Sequence, residues 1–137
     1  MKKLLSKLSI LLLILVVLTA CSEKELSEKF DKDKIKVMTE EIITLFSNEE
    51  FEKITNDYTR EDLKAALNPE VLKNAKDQVM SKAGSFVKFD YSSYASQKDK
   101  SGNEFVTAVR VVKYDKQTVT FTISIDENMK IVGFYLK

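Results

Sequence analysis

At Gly84 the hydrophobic period of this chain changes, and that change limits the folds open to it. Before the glycine, Phe30, Ile35, Met38, Ile42, Leu45 and Phe46 recur mostly three to five residues apart, the stripe of an amphipathic helix whose charged remainder, DKDK and TEE, forms the wet face. After it the period falls to two, most plainly where Val119, Phe121, Ile123 and Ile125 alternate with Thr118, Thr120, Thr122 and Ser124. Helices first and strands second predict an α+β chain with N-terminal helices packed on a curved four-stranded antiparallel sheet.

Local signals divide the helical part. Ser47-Asn48-Glu49-Glu50 has capping-box spacing and predicts a short second helix carrying Phe51 and Ile54. Thr59-Arg60-Glu61-Asp62 repeats that signal before Leu63, Ala66 and Leu67. Asn68-Pro69-Glu70 opens a longer helix, since Asn caps well and Pro is tolerated at the first helical position. That helix is expected to bury Leu72, Ala75 or the stem of Lys76, Val79 and Ala83, with Gly84 as its stop.

Strands are expected at about 85–95, 104–114, 117–125 and 130–136, joined by links short enough for a meander. If the YDKQ turn is a two-residue hairpin, Arg110 stands opposite Phe121 on the apolar side; a longer turn moves it to the other face, as an exposed charge or a partner for Asp90. Around DENM, pairing Asp126 with Lys130 places Phe121 opposite Tyr135 and Ile123 opposite Gly133. Val132, Phe134 and Leu136 then join the threonine face, an apolar surface for the tether, a cavity lining or a partner subunit. A register slip of one residue reverses that assignment. Asp99 to Glu104 lacks the alternating ligands of a calcium loop and reads as a hairpin turn, with Gly102 free to take positive φ.

The N-terminus carries a separate message. Leu8 to Ala20 is an uncharged run of 13 residues, short of the ~20 that a bilayer span needs. It follows MKKLLSK, the basic start of an export signal. Leu18-Thr19-Ala20-Cys21 resembles the bacterial lipobox. That resemblance implies cleavage between Ala20 and Cys21, a diacylglyceryl group on the Cys21 thiol, and attachment to the outer face of the cell membrane; two acyl chains suffice for stable anchoring. The expected organisation is a signal peptide over 1–20, a lipidated N-terminus and polar tether over 21–29, and one α+β domain over 30–137. A chain of 137 residues has room for one core.

Composition removes whole classes of chemistry. There is no His and a single Cys, so neither a Ser-His-Asp nor a Cys-His arrangement can form, the usual zinc sites are excluded, and no intramolecular disulfide exists. Neither metal nor cofactor is expected. Lys2, Lys3 and Lys7 account for the basic residues of the first twenty, which hold no acid; the remainder has 19 basic and 21 acidic residues, about −2, with no bulk attraction to nucleic acid.

Helices followed by a four-stranded meander resemble the cystatin-like fold of the nuclear-transport-factor-2-like superfamily. Within it, FEKITNDYTREDLKAALNPEVLKNAKDQVMSKAGSF and the later DENMKIVGFYL are similar to a family of small uncharacterised bacterial modules. The matching features are caps, turns and core positions, so the resemblance implies a fold and no activity. The expected function is that of a lipid-anchored extracytoplasmic binding or interaction module, with no catalytic residue assigned. Its partner is a protein, a second copy, or a small apolar ligand; on the apolar side, Arg110 is the candidate contact for an anionic ligand in the pocket. The alternative is a pocket enzyme of the ketosteroid-isomerase-like type, pairing a carboxylate with a tyrosine from among Asp57, Tyr58, Asp90, Tyr91, Tyr94, Tyr114 and Tyr135.

Overall fold

The computed structural model describes residues 26–137, so Ala20 and Cys21 lie outside the described residues. Helix α1 (Lys32–Ser47) leads to a short turn α2 (Phe51–Lys53), which runs into a π turn (Ile54–Tyr58). A 3₁₀ turn (Glu61–Leu63) and helix α3 (Pro69–Met80) come next, then strands β1 (Phe86–Lys98), β2 (Glu104–Tyr114), β3 (Thr118–Asp126) and β4 (Ile131–Leu136). The strands form one antiparallel sheet in chain order. The α+β architecture is the one expected, and among the described residues no helix is long and apolar enough to cross a membrane.

Helix α1 begins where the Asp31 carboxylate accepts the amides of Asp33 and Lys34 at 2.9 and 3.3 Å. It buries Ile35, Met38, Ile42, Ile43 and Phe46 against the sheet, with Thr39 on the same stripe. The capping box expected at Ser47–Glu50 does not form. Ser47 remains helical, its hydroxyl 2.8 Å from the Ile43 carbonyl and 2.6 Å from the Tyr114 hydroxyl, while Glu49 reverses the chain at φ 61° and α2 starts without a side-chain cap. The signal at Thr59 is diverted likewise. The Thr59 hydroxyl donates to Ile54, the Arg60 amide donates to the Ile131 carbonyl at 3.1 Å, and only a single 3₁₀ turn results. In both places the polar groups that a helix start would have used have other partners, Tyr114 for the Ser47 hydroxyl, and the preceding turn together with β4 for Thr59 and Arg60.

The third start forms as expected. Asn68 accepts the Val71 amide at 3.0 Å, Pro69 is the first helical residue, and Leu72 is fully buried. The helix ends earlier than expected, at Met80, so Gly84 is not its stop but takes φ +79° in the link to β1, where an added Cβ would lie 2.9 Å from the Asp115 Cβ. The close approach exists because the Ala83 and Ser85 carbonyls accept the amides of Lys116 and Asp115, both at 2.8 Å.

Tyr114 donates its amide to Gln117, closing a two-residue turn, so Arg110 pairs with Phe121 on the apolar side. At the β3–β4 turn the expected register is corrected. Asp126 does pair with Lys130, but a bulge at Val132 shifts the remaining rungs by one residue: Phe121 stands opposite Leu136, Ile123 opposite Phe134, and Tyr135 opposite Thr122. Phe134 and Leu136 thereby face the helices, and Tyr135 turns outward, 61% exposed. The outer face therefore sets the Thr and Ser residues of β3 between Val109 and Val111 of β2 and Tyr135 of β4, and is less apolar than the unshifted register implied.

Between helices and sheet the interior is filled. Phe46, Phe121, Ile35, Ile42, Ile43, Ile54, Leu72, Ile123 and Ile125 are all fully buried, each contributing roughly 1.5–3 kcal/mol. The part of the expected tether within the described residues lies on the sheet end: the Ser27 amide donates to Ser96 Oγ (2.8 Å), its hydroxyl donates to Glu104 (2.7 Å), and Leu26 packs on the core. Replacing Gly84 with Ala is expected to cost about 1–2 kcal/mol from the left-handed backbone alone, with the Asp115 clash added. Urea unfolding of the soluble 22–137 fragment measures it.

Candidate functional site

Two places combine geometry with chemistry: a buried arginine beneath α1 and a groove beside β4. Arg110 is 2% exposed because strand alternation points it into the interior. Its guanidinium is met by α1, where Lys36, Thr39 and Glu40 share one face by their spacing of three and four. Nη2 donates to Glu40 Oε1 at 2.9 Å, and Nη1 donates to the Lys36 carbonyl, Thr39 Oγ1 and Tyr94 Oη at 3.2, 3.0 and 3.3 Å. The Phe89 ring lies beneath it, 5.0 Å from the guanidinium carbon. Nε is buried with no hydrogen-bond partner.

This cluster spends its charge internally. Glu40 neutralises the arginine and α1 caps it, so the anion-facing pocket expected of Arg110 is occupied by the protein's own carboxylate. Thr39 and Glu40 were not among the sequence candidates. A polar Thr39 between Ile35 and Ile42 on the buried stripe was the available signal.

The acids and tyrosines of the enzyme alternative are scattered. Asp90 sits 3.9 Å from Lys88 on the surface, Tyr91 and Tyr135 are exposed, and Asp57 offers its carbonyl to Lys130. Tyr58 donates to Glu41 at 3.0 Å, beside a shallow groove lined by Val37, Met38 and Met129 on the outside of α1. Tyr114 alone is deeply buried, its hydroxyl paired with Ser47 and its pKa raised by burial. Among the described residues, these groups bring no acid and tyrosine together inside the helix–sheet interior, and none forms a metal-binding cluster.

The second place is the β4 edge. The stretch from Thr59 to Leu67 crosses toward β4, pairs with it only at Ile131, and is held by the Thr55 hydroxyl donating to the Leu67 carbonyl at 2.8 Å. Beyond Ile131 no described residue pairs with the outer edge of the strand. Lys137 exchanges both backbone bonds with Thr120, so by alternation the amides and carbonyls of Phe134 and Leu136 point away from β3. Leu63, Ala66, Leu67, Ile131, Gly133, Phe134 and the bulged Val132 line an apolar groove of about 150 Å³ beside this edge. That volume suits one or two side chains and is below the ~300 Å³ at which small-molecule pockets begin.

The family model described as "Protein of unknown function (DUF3887)" matches residues 39–134, well over half of the chain. The chain belongs to this family. The matched DUF3887 region starts at Thr39 and takes in Glu40, Tyr94, Arg110 and the β4 groove, while the segment seated by Ser27 precedes it. The DUF3887 domain is similar to a solved NMR structure of a protein from Ruminococcus gnavus ATCC 29149, at 27% identity and a TM-score of 0.72, covering 82% of this chain and 96% of that one. No protein of curated function matches it.

Truncating Glu40 to Ala strands a buried guanidinium and should cost about 2 kcal/mol, whereas Arg110→Met leaves Glu40 with access to water and should change stability by less than about 1 kcal/mol. Denaturant midpoints of the two variants test the asymmetry. Burial favours neutral Tyr114, so its contribution is intact below the ordinary tyrosine value of about 10 and fades as pH rises toward the raised folded value. Tyr114→Phe should lower stability by about 1 kcal/mol at neutral pH and flatten the alkaline limb of the stability–pH curve.

Proposed function

We propose that this DUF3887 protein is a lipid-anchored, extracytoplasmic interaction module of nuclear-transport-factor-2-like architecture that takes an extended segment of a partner protein along β4. The observation that carries the reading is the open backbone of Phe134 and Leu136 beside an apolar groove. A row of unpaired amides and carbonyls is satisfied best by another extended polypeptide, and a neighbouring pocket then receives alternate side chains. Support also comes from the interior formed by the described residues: it is packed with Phe, Ile and Val, and the one charge buried among them, Arg110, is neutralised by Glu40. Both facts disfavour a small apolar ligand in the cone and the carboxylate–tyrosine enzyme, whose acid must be desolvated to work.

The anchor half of the proposal rests on Leu18-Thr19-Ala20-Cys21 behind its basic and apolar regions. A location outside the cytoplasmic membrane is inferred from the same residues.

One experiment on intact cells addresses both halves. A photo-reactive residue at Ala66, on the groove rim, should give adducts with a second protein, and the same residue at exposed Lys82 should not. Adding Val132→Lys should abolish them. Equal adducts at both positions, or none at Ala66, overturn the groove reading; adducts of twice the chain's mass overturn it in favour of self-association. In parallel, Cys21→Ala should leave the precursor uncleaved and without fatty-acid label, and unchanged labelling removes the anchor.

A further inference from the structure

The residues that join the proposed anchor to the domain are held at one end of the sheet. Ser27 is fastened twice, through its amide to Ser96 Oγ at 2.8 Å and through its hydroxyl to Glu104 Oε2 at 2.7 Å. Lys29 adds a bridge to Glu127 at 3.0 Å and lies 3.8 Å from Glu104, and Phe30 is buried behind them. Glu104 pairs with Lys98 in the last rung before the β1–β2 hairpin at Asp99–Asn103, Ser96 lies two rungs further in, and Glu127 is in the β3–β4 turn. The β2–β3 turn at Asp115–Lys116 and Gly84 lie at the opposite end.

Chain length turns this seat into an orientation. Six residue steps separate Cys21 from Ser27, which at ~3.6 Å each reach at most about 22 Å. Strand β2, with 11 residues, is about 35 Å long. A domain standing on its β2–β3 turn would hold Ser27 higher above the bilayer than the segment can reach. Released from Ser27 and Lys29, the segment would run free to Phe30, nine steps and about 32 Å, and the inverted pose would come almost within reach.

Resting on the anchor proposed above, we infer that the Ser27 clamp sets how the domain stands on the membrane: the Asp99–Asn103 hairpin faces the lipid headgroups, and the Asp115–Lys116 turn points away. The β4 edge then rises from the surface, open to a segment arriving from outside. The membrane-facing end pairs Lys29, Arg60 and Lys98 with Glu104, Asp126 and Glu127, and its hairpin carries both Asp99 and Lys100. No single sign dominates, so the clamp and not lipid charge determines the pose. Glu104 is suited to the role, since the Ser27 hydroxyl, followed by Lys29 and Lys98, holds its carboxyl below the usual range.

Lipidation occupies the one native thiol, so a single introduced cysteine can carry a donor fluorophore. The full-length lipidated protein, labelled at Lys100→Cys or Lys116→Cys, is placed in phosphatidylcholine vesicles containing an acceptor-labelled lipid. Energy transfer is expected to be at least twofold higher from position 100, with the same ratio in vesicles containing anionic lipid. Adding Ser27→Ala, Lys29→Ala and Ser96→Ala together, or Glu104→Ala with Ser96→Ala as an independent release, should bring the ratio toward one.

Equal or reversed transfer in protein whose intact mass shows the lipid overturns the pose and leaves the anchor standing. A ratio that survives both release variants overturns the clamp. A ratio that appears only with anionic lipid assigns the pose to headgroup attraction and likewise overturns it. Protein whose mass shows Cys21 unmodified overturns the anchor, and the pose with it.

Discussion

Phe46 is the constraint on which the other placements depend. It sits in the last turn of α1, fully buried, with its ring 5.6 Å from Phe51, 5.6 Å from Phe121 and 5.3 Å from Phe134. One side chain thus ties the first helix to its successor and to two strands. Each aromatic contact is worth roughly 0.5–1.5 kcal/mol beyond area burial, and together they demand that Phe134 face the helices. With Asp126 bonded to Lys130 at the turn, uninterrupted pairing would put Phe134 on the wrong face. The bulge at Val132 is the strand's answer to both demands.

That bulge links packing to the candidate site. By lifting Val132 out of the ladder it supplies one wall of the groove, and β4 beyond Ile131 has no covering chain among the described residues. Arg110 solves a different problem at the same interface: its place in the alternation points a charge inward, and α1 meets it with a carboxylate, a hydroxyl and a carbonyl. Polar groups inside this domain are therefore consumed in holding helix to sheet, and recognition is left to the edges.

Much of the architecture is legible in the order of residues. The helical stripe through Ile35, Ile42 and Phe46, the Asn68–Pro69 start, positive φ at Gly84 and Gly102, and the alternating third strand all depend on neighbours within a few residues. The Ser47 and Thr59 capping signals misled because each hydroxyl had a better partner far along the chain or across a turn: Tyr114 for Ser47, and Ile54 for Thr59 as its backbone bridged to Ile131. The turn length left two faces open for Arg110, the two-residue turn selects the apolar one, and the carboxylate that neutralises it comes from 70 residues away. No local pattern could have named Glu40.

Side-chain period and composition act locally, and they were enough to set the order of helices and strands, the two faces of the third strand, the lack of histidine chemistry, and an N-terminus built like an export signal. The register of β4, the neutralisation of Arg110, the groove and the seat of Ser27 on the hairpin end arose only once the chain had packed. Each is a competition between contacts distant in sequence, settled by which arrangement buries Phe134 and leaves the fewest polar groups unpaired.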